Sequence, residues 1–316
     1  MAISESTSSD WDIETKPKKP LKGVGIGLRL PHIHQIIQQK PDVDWLEIHS
    51  CNFLNSPTNL ALLDHLAEHY PLSFHGVSMN LGGLNPLDQT YLAQLKKLTD
   101  RYQPNLISDH VCFTANDDQH FHDLLPIPYT EEAVDHLSER IQQIQETLGR
   151  EILIENISRY FSYPKSHSDT NLSEGQFLSA IASQTNCGLL LDINNAYVNQ
   201  INHPNDSTQK VLHFIKELPR NRIKEIHLGG HHQESGKLID SHSSEVSLEV
   251  WQLFDIFCRD AAVLDNADHH PPVLIEWDND LPPLETLLQQ CLQAKARIDS
   301  GARNKDFSKQ YSAAMA

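Results

Sequence analysis

The stretch Gly188–Asn195, GLLLDINN, decides how the rest of the chain is read. A short leucine run gives way abruptly to Asp192, Asn194 and Asn195. A strand apolar at nearly every position has both faces covered, as in a parallel sheet flanked by helices. Working outward, the same form recurs towards the N-terminus in Glu151–Asn156 (EILIEN), Leu106–Phe113 (LISDHVCF), Leu72–Val77 (LSFHGV), Asp44–Ser50 (DWLEIHS) and Gly23–Leu30 (GVGIGLRL). Towards the C-terminus it recurs in Ile223–Gly230 (IKEIHLGG) and Pro272–Asp278 (PVLIEWD), which makes eight runs.

Helical stretches separate the runs. The sequence predicts helices over Asn59–Tyr70, Gln89–Tyr102, Glu131–Leu148, Ser173–Thr185, Ser207–Glu217, Ser247–Asp260 and Leu284–Arg297. Ser56-Pro57 and Thr130 suit helix starts, and Gly149 suits a helix end. Strand then helix, eight times over, is the sequence form of a closed (β/α)8 barrel in the α/β class. The expected organisation is a flexible N-terminal tail over residues 1–20, one barrel domain over 21–299 and a flexible C-terminal tail over 300–316. Long connections at Leu81–Asp88, Ala115–Tyr129 and His231–Val246 follow strands, which places them on the face where barrel active sites lie.

The 316 residues carry a net charge of −17. That disfavours nucleic acid as a partner, because such binding rests on clustered Lys and Arg. No apolar run reaches the roughly 20 residues a membrane helix needs, and the N-terminus lacks an apolar signal core, so the expectation is a cytoplasmic protein without a membrane partner. The five cysteines show no CxxC spacing and read as reduced thiols, with Cys51 and Cys112 as small buried ones.

The chemistry lies in the polar residues that end the strands. In chain order these are Glu47 and His49, His75, Asp109 and His110, Glu155-Asn156, Asp192 with Asn194 and Asn195, His227, then His231, His232, Asp240 and His242 in the following loop, and Glu276 with Asp278. In a barrel these ends converge. Bare carboxylates packed together repel, and each desolvated one needs compensation. Bound cations supply it, and imidazole with carboxylate suits iron, zinc or manganese. The donors are too many for one metal. His32, His34, His65, His69, His136, His213 and His269–His270 read as surface or packing residues; His120 and His122 read as lid or substrate contacts.

The order of motifs resembles the multinuclear non-haem iron-dependent oxidative enzymes, the family that includes the methanobactin-biosynthesis oxygenase. The resembling stretches are GIGLRL (Gly25–Leu30), EIHSCNF (Glu47–Phe53), FHGVSMNLGG (Phe74–Gly83), SDHVCF (Ser108–Phe113), LIENIS (Leu153–Ser158), LDINNAY (Leu191–Tyr197), IHLGGH (Ile226–His231), IDSHS (Ile239–Ser243) and IEWDNDLP (Ile275–Pro282). The resemblance implies a xylose-isomerase-like TIM barrel. It implies two or three iron ions, Fe2+ or Fe3+, and O2 as co-substrate in an oxidoreductase. The implied substrate is a cysteine, or another residue, of a ribosomally made precursor peptide, presented by a small partner protein. The implied metal ligands are His75, His110, Glu155, Asp192, His227, Asp240, His242 and Glu276, with Asn156, Asn194, His231, Glu47 and His49 as further donors or supporting contacts. Relatives usually carry Glu where this chain has Cys51, and often Glu at Asp109, which bears on substrate identity more than on metal binding.

Two other classes fit the residues. One is a metal-dependent barrel hydrolase or isomerase; an isomerase of this kind usually needs a strand-end lysine, and Lys224 lies at the start of its strand. The other is a non-catalytic metal- or peptide-binding protein.

Overall fold

The eight apolar runs become eight parallel strands: β1 (Val24–Leu28), β2 (Leu46–His49), β3 (Leu72–His75), β4 (Leu106–His110), β5 (Leu153–Glu155), β6 (Gly188–Asp192), β7 (Ile223–Leu228) and β8 (Val273–Ile275). They pair in sequence order and close, β1 against β8, into a barrel. The computed structural model describes residues 21–116, 119–161, 163, 172–204, 210–264 and 270–303, of which 261–264 and 302–303 are described by backbone alone. The expected N-terminal tail, Ser207 and His269 lie outside the described residues.

Side chains alternate along each strand, so each strand packs outward at one residue and faces the barrel axis at the next. Ile26, Ile48, Phe74, Ile107, Ile154, Leu191, Ile226 and Ile275 point outward and are fully buried under the helices. Burying one such side chain stabilises the fold by roughly 1.5–3 kcal/mol. The helices are α1 (Ile33–Gln39), α2 (Pro57–Ala67), α3 (Gln89–Tyr102), α4 (Glu131–Leu148), α5 (Glu174–Thr185), α6 (Ile193–Asn202), α7 (Val211–Glu217), α8 (Leu248–Leu264) and α9 (Leu284–Arg303). Their ends follow local chemistry. Thr130 caps α4 by accepting from the Ala133 amide, and Gly149 ends it with φ +70°. Ser173 and Gln176 form a capping box on α5.

Several expectations needed correction. β6 stops at Asp192, and Asn194 and Asn195 lie in the first turn of α6, because the Asp192 side chain accepts from the Asn195 amide at 2.7 Å and starts a helix there. α1 was not expected, and α9 runs to Arg303, beyond residue 299. Two long connections are antiparallel hairpins: Phe113–Asn116 with Gln119–Leu125, and His231–Glu234 with Lys237–Asp240. Their polar alternation concealed them, since both faces stand near solvent. The five cysteines are free as expected, but Cys51 is exposed, in the turn after β2. No helix among the described residues is long and apolar enough to cross a membrane.

Candidate metal centre

Strand register gathers the polar ends into one layer. His49 is the pairing neighbour of His75 across β2 and β3, His110 of Glu155 across β4 and β5, and Asp192 of His227 across β6 and β7. His75 Nε2 lies 3.4 Å and His110 Nε2 3.2 Å from Glu155 Oε2. The other Glu155 oxygen stands 3.9 Å from His227 Nδ1, which lies 3.0 Å from Glu276 Oε2. His242 Nδ1 is 3.3 Å from that same Glu276 oxygen, and its Nε2 lies 2.8 Å from Asp240 and 3.7 Å from Asp192. Glu155 and Glu276 are therefore shared carboxylates, each faced by histidines from two sides.

Local structure aims these groups. One Asp192 oxygen caps α6, which leaves the other pointing inward. His110 Nδ1 donates to the Gly76 carbonyl at 3.1 Å, since a carbonyl only accepts, and this turns Nε2 towards Glu155. His242 adopts φ +43°, and its ring packs on Gly229, where a Cβ would lie 2.5 Å from it.

Burial and mutual charge pull the titrations apart. Burial raises Glu47 to about 7 despite His227 beside it. Burial likewise raises Asp192 to about 7, opposed by His242, and pushes Glu155 well up against His110 and His227. Glu276 behaves oppositely: burial would raise it, but His242 and His227 together hold it at about 2. Burial would lower His110, yet Glu155 and Asp109 raise it to about 9. Burial and the neighbouring imidazoles hold His75 well below its usual value, and burial with Arg29 lowers His49 to about 4.

The donor set fits bound cations. Both oxygens of Glu47 and of Glu155, Asp192 Oδ2, Glu225 Oε1, His49 Nε2 and His227 Nε2 are buried without a hydrogen-bond partner among the described residues. Buried polar atoms are rarely left so. Groups of three or four donors close enough to share an ion are His75–His110–Glu155, Glu155–Asp192–His227–Glu276, His242–Glu276–Asp278, Glu47–His49–Glu276 and Glu47–Glu225–His227. All donors are nitrogen or oxygen, which suits iron, zinc or manganese over thiolate-loving sites.

The structure brings seven of the eight expected ligands into these groups; Asp240 joins through His242. Asn194 bridges outward, giving Nδ2 to Asp240 Oδ1 at 2.7 Å and standing 2.8 Å from His231 Nδ1. Asn156 spends its side-chain amide on the Asp192 backbone, at 2.9 and 3.0 Å, and so locks β5 to β6. Asp109 faces away and accepts from the Ser78 and Met79 amides, fixing the loop after β3. His120 and His122 line the mouth, a cavity of about 780 Å3.

Sequence reasoning passed over Glu225, Arg29 and Arg140. Glu225 sits two residues before His227, a spacing that alternation could have exposed. Arg140 reaches from α4 to the carbonyls of Leu81, Asn85 and Asn80 at 2.9, 2.7 and 3.0 Å; no local pattern announces that.

A closed parallel barrel with this donor set at its mouth defines the class: a metal-dependent barrel enzyme. The chain belongs to the family described as RiPP precursor modification enzymes MbnB/TglH/ChrH, whose family model matches residues 23–299. Such enzymes modify ribosomally made peptides. The chain is 42% identical over 277 residues to a UPF0276 protein of Chromobacterium violaceum, covering 87% of this chain and 95% of that one. A UPF0276 protein of Acaryochloris marina is 40% identical over 274 residues, covering 87% and 94%. Among solved structures, endonuclease IV from Thermus thermophilus superposes with a TM-score of 0.55 at 15% identity, over 88% of this chain and 100% of that one. D-psicose 3-epimerase from Clostridium cellulolyticum gives 0.51 at 12%, over 90% and 99%. At such identities the likeness speaks for the fold alone, and it bears out the xylose-isomerase-like barrel.

Proposed function

We propose that the protein is a multinuclear iron-dependent oxygenase or oxidase that uses O2 to modify cysteine, or another residue, of a ribosomally made precursor peptide. The observation that carries this reading is the sharing of Glu155 and Glu276 between neighbouring histidine groups. Two or three ions could be held side by side, by His75, His110 and Glu155, by Glu155, Asp192, His227 and Glu276, and by Asp240, His242 and Glu276. Bound iron would supply the electrons for dioxygen reduction and a positive seat for a substrate thiolate.

The chain's own part is geometry and exclusion. The α6 cap holds Asp192, the Gly76 carbonyl fixes the His110 ring, and Asn194 steadies Asp240. The mouth is walled by His49, Asn80, His120, His122, Tyr160 and Asn279, a polar surround suited to an extended peptide. A small partner protein would present the peptide at this mouth. Lys224 is exposed at the start of β7, far from the mouth, which counts against an isomerase-type lysine.

The test is anaerobic purification, loading with ferrous iron, elemental analysis and oxygen uptake with a short cysteine-bearing peptide and a small partner protein encoded beside the gene. The expected result is more than one iron per chain and peptide-dependent oxygen consumption. Zinc or manganese retained without oxygen uptake points to a hydrolase or isomerase, and peptide binding without turnover to a binding protein; either outcome sinks the proposal.

A further inference from the structure

One cation of the mouth is built into the chain. Arg29 follows directly on β1 and is buried, 5% exposed. The space it fills exists because position 27 is glycine: a Cβ there would lie 2.8 Å from the Arg29 Cζ. Gly27 and Arg29 share the inner face of β1, two residues apart. Arg29 Nε donates to Asp278 Oδ1 at 2.8 Å, and Nη2 reaches the same oxygen. The Nη2 nitrogen also stands 3.9 Å from Glu276 Oε1, and Nη1 is buried without a hydrogen-bond partner among the described residues. Asp278 therefore has one oxygen committed. The other faces His49 Nε2 at 3.9 Å and His242 Nδ1 at 3.8 Å. The Asp278 backbone is anchored separately, through its amide to the His242 carbonyl at 2.7 Å.

We propose that Arg29 is a positioning residue of the metal centre: seated over Gly27, it takes up one oxygen of Asp278, turns the other towards His49 and His242, and adds a fixed positive charge to the centre. This rests on the metal-centre reading above. A guanidinium does not lose its proton at working pH, so its charge persists whatever the histidines do. A fixed cation beside shared carboxylates disfavours the more highly charged metal state. It therefore holds a bound redox metal towards its reduced form. It also spares Asp278 from chelating with both oxygens.

The experiment compares wild type, Arg29→Gln, Arg29→Lys and Gly27→Ala, each loaded anaerobically with ferrous iron. Iron content comes from elemental analysis and midpoint potential from anaerobic redox titration. Arg29→Gln is expected to keep its iron and to shift the potential to more negative values. Gly27→Ala keeps the arginine but displaces its guanidinium, and should shift the same way. Arg29→Lys keeps the charge and should stay near wild type. An Arg29→Gln potential equal to wild type, or an Arg29→Lys shift as large as that of Arg29→Gln, overturns the proposal. If wild type takes up cobalt(II) but not iron, the iron reading fails separately. Arg29 is then tested by the cobalt absorption bands, which Arg29→Gln should change and Arg29→Lys should restore; unchanged bands in Arg29→Gln overturn it.

Discussion

Ile226 and His227 are adjacent on β7, both fully buried, and their circumstances are opposite. Ile226 packs among the hydrophobic residues between barrel and helices. His227 faces the axis amid Glu47, Glu155, Glu225 and Glu276, and its Nε2 has no hydrogen-bond partner among the described residues. The same contrast separates Ile154 from Glu155. The outer face of the barrel stores stability in packing. The inner face near the mouth gives stability up to keep donors unsatisfied, a balance that a bound cation would restore. Deeper on that inner face Trp45, Leu153, Leu190 and Leu274 are buried and apolar, so the change from packing to chemistry also runs along the axis.

The contrast can be broken first from outside. Phe254 of α8 is fully buried, and Phe254→Ala should cost about 3–5 kcal/mol in denaturant unfolding while the folded fraction keeps its full metal content. Metal loss in step with stability would show that the two faces are not separable. From inside, His227→Ala should weaken metal binding by about 100-fold or more, read by elemental analysis after dialysis. A variant with full metal content would remove His227, and with it the sharing of Glu155 and Glu276, from the centre.

A third probe is pH. Glu47 and Asp192, raised to about 7, add stability to the metal-free protein below the ordinary carboxylate range, and that contribution is lost as pH rises towards about 7. His110, raised to about 9, adds stability below the ordinary histidine value that is lost as pH rises through about 9. Glu276, held at about 2, works oppositely and matters only in acid. Metal must displace the protons that remain, so affinity should rise with pH by about tenfold per unit for each proton released. The gap in melting temperature between metal-loaded and metal-free protein should widen from pH 6 to pH 8 in calorimetry. A constant gap would mean that no proton leaves on binding. The smallest expected effect lies on the outer layer: Thr130→Ala removes the cap of α4 and should cost about 1 kcal/mol, with metal content unchanged.

Much of this was legible in the chain. The run GLLLDINN and its seven counterparts carry barrel and mouth together, because a both-sides-buried strand must be apolar and a strand end that turns polar must have a reason. The donors that gather at the mouth were readable for the same cause: His75, His110, Glu155, Asp192, His227 and Glu276 each close an apolar run. The hairpins were not readable, since two-stranded ribbons near solvent lack an apolar face. Asn194 was read as strand because the helix that holds it begins on the side chain of Asp192, a contact of one residue with another rather than a pattern.

The sequence by itself determined the barrel, the end at which chemistry gathers and the nitrogen and oxygen character of the donors, because these follow from composition and alternation along a single strand. Only the tertiary structure decided which donors lie close enough to share an ion, that Glu225 lies beside His227, and that Arg29 sits over Gly27 against Asp278. Those facts depend on register and on distance between residues as much as 249 apart in sequence, and no local pattern carries a distance across the barrel.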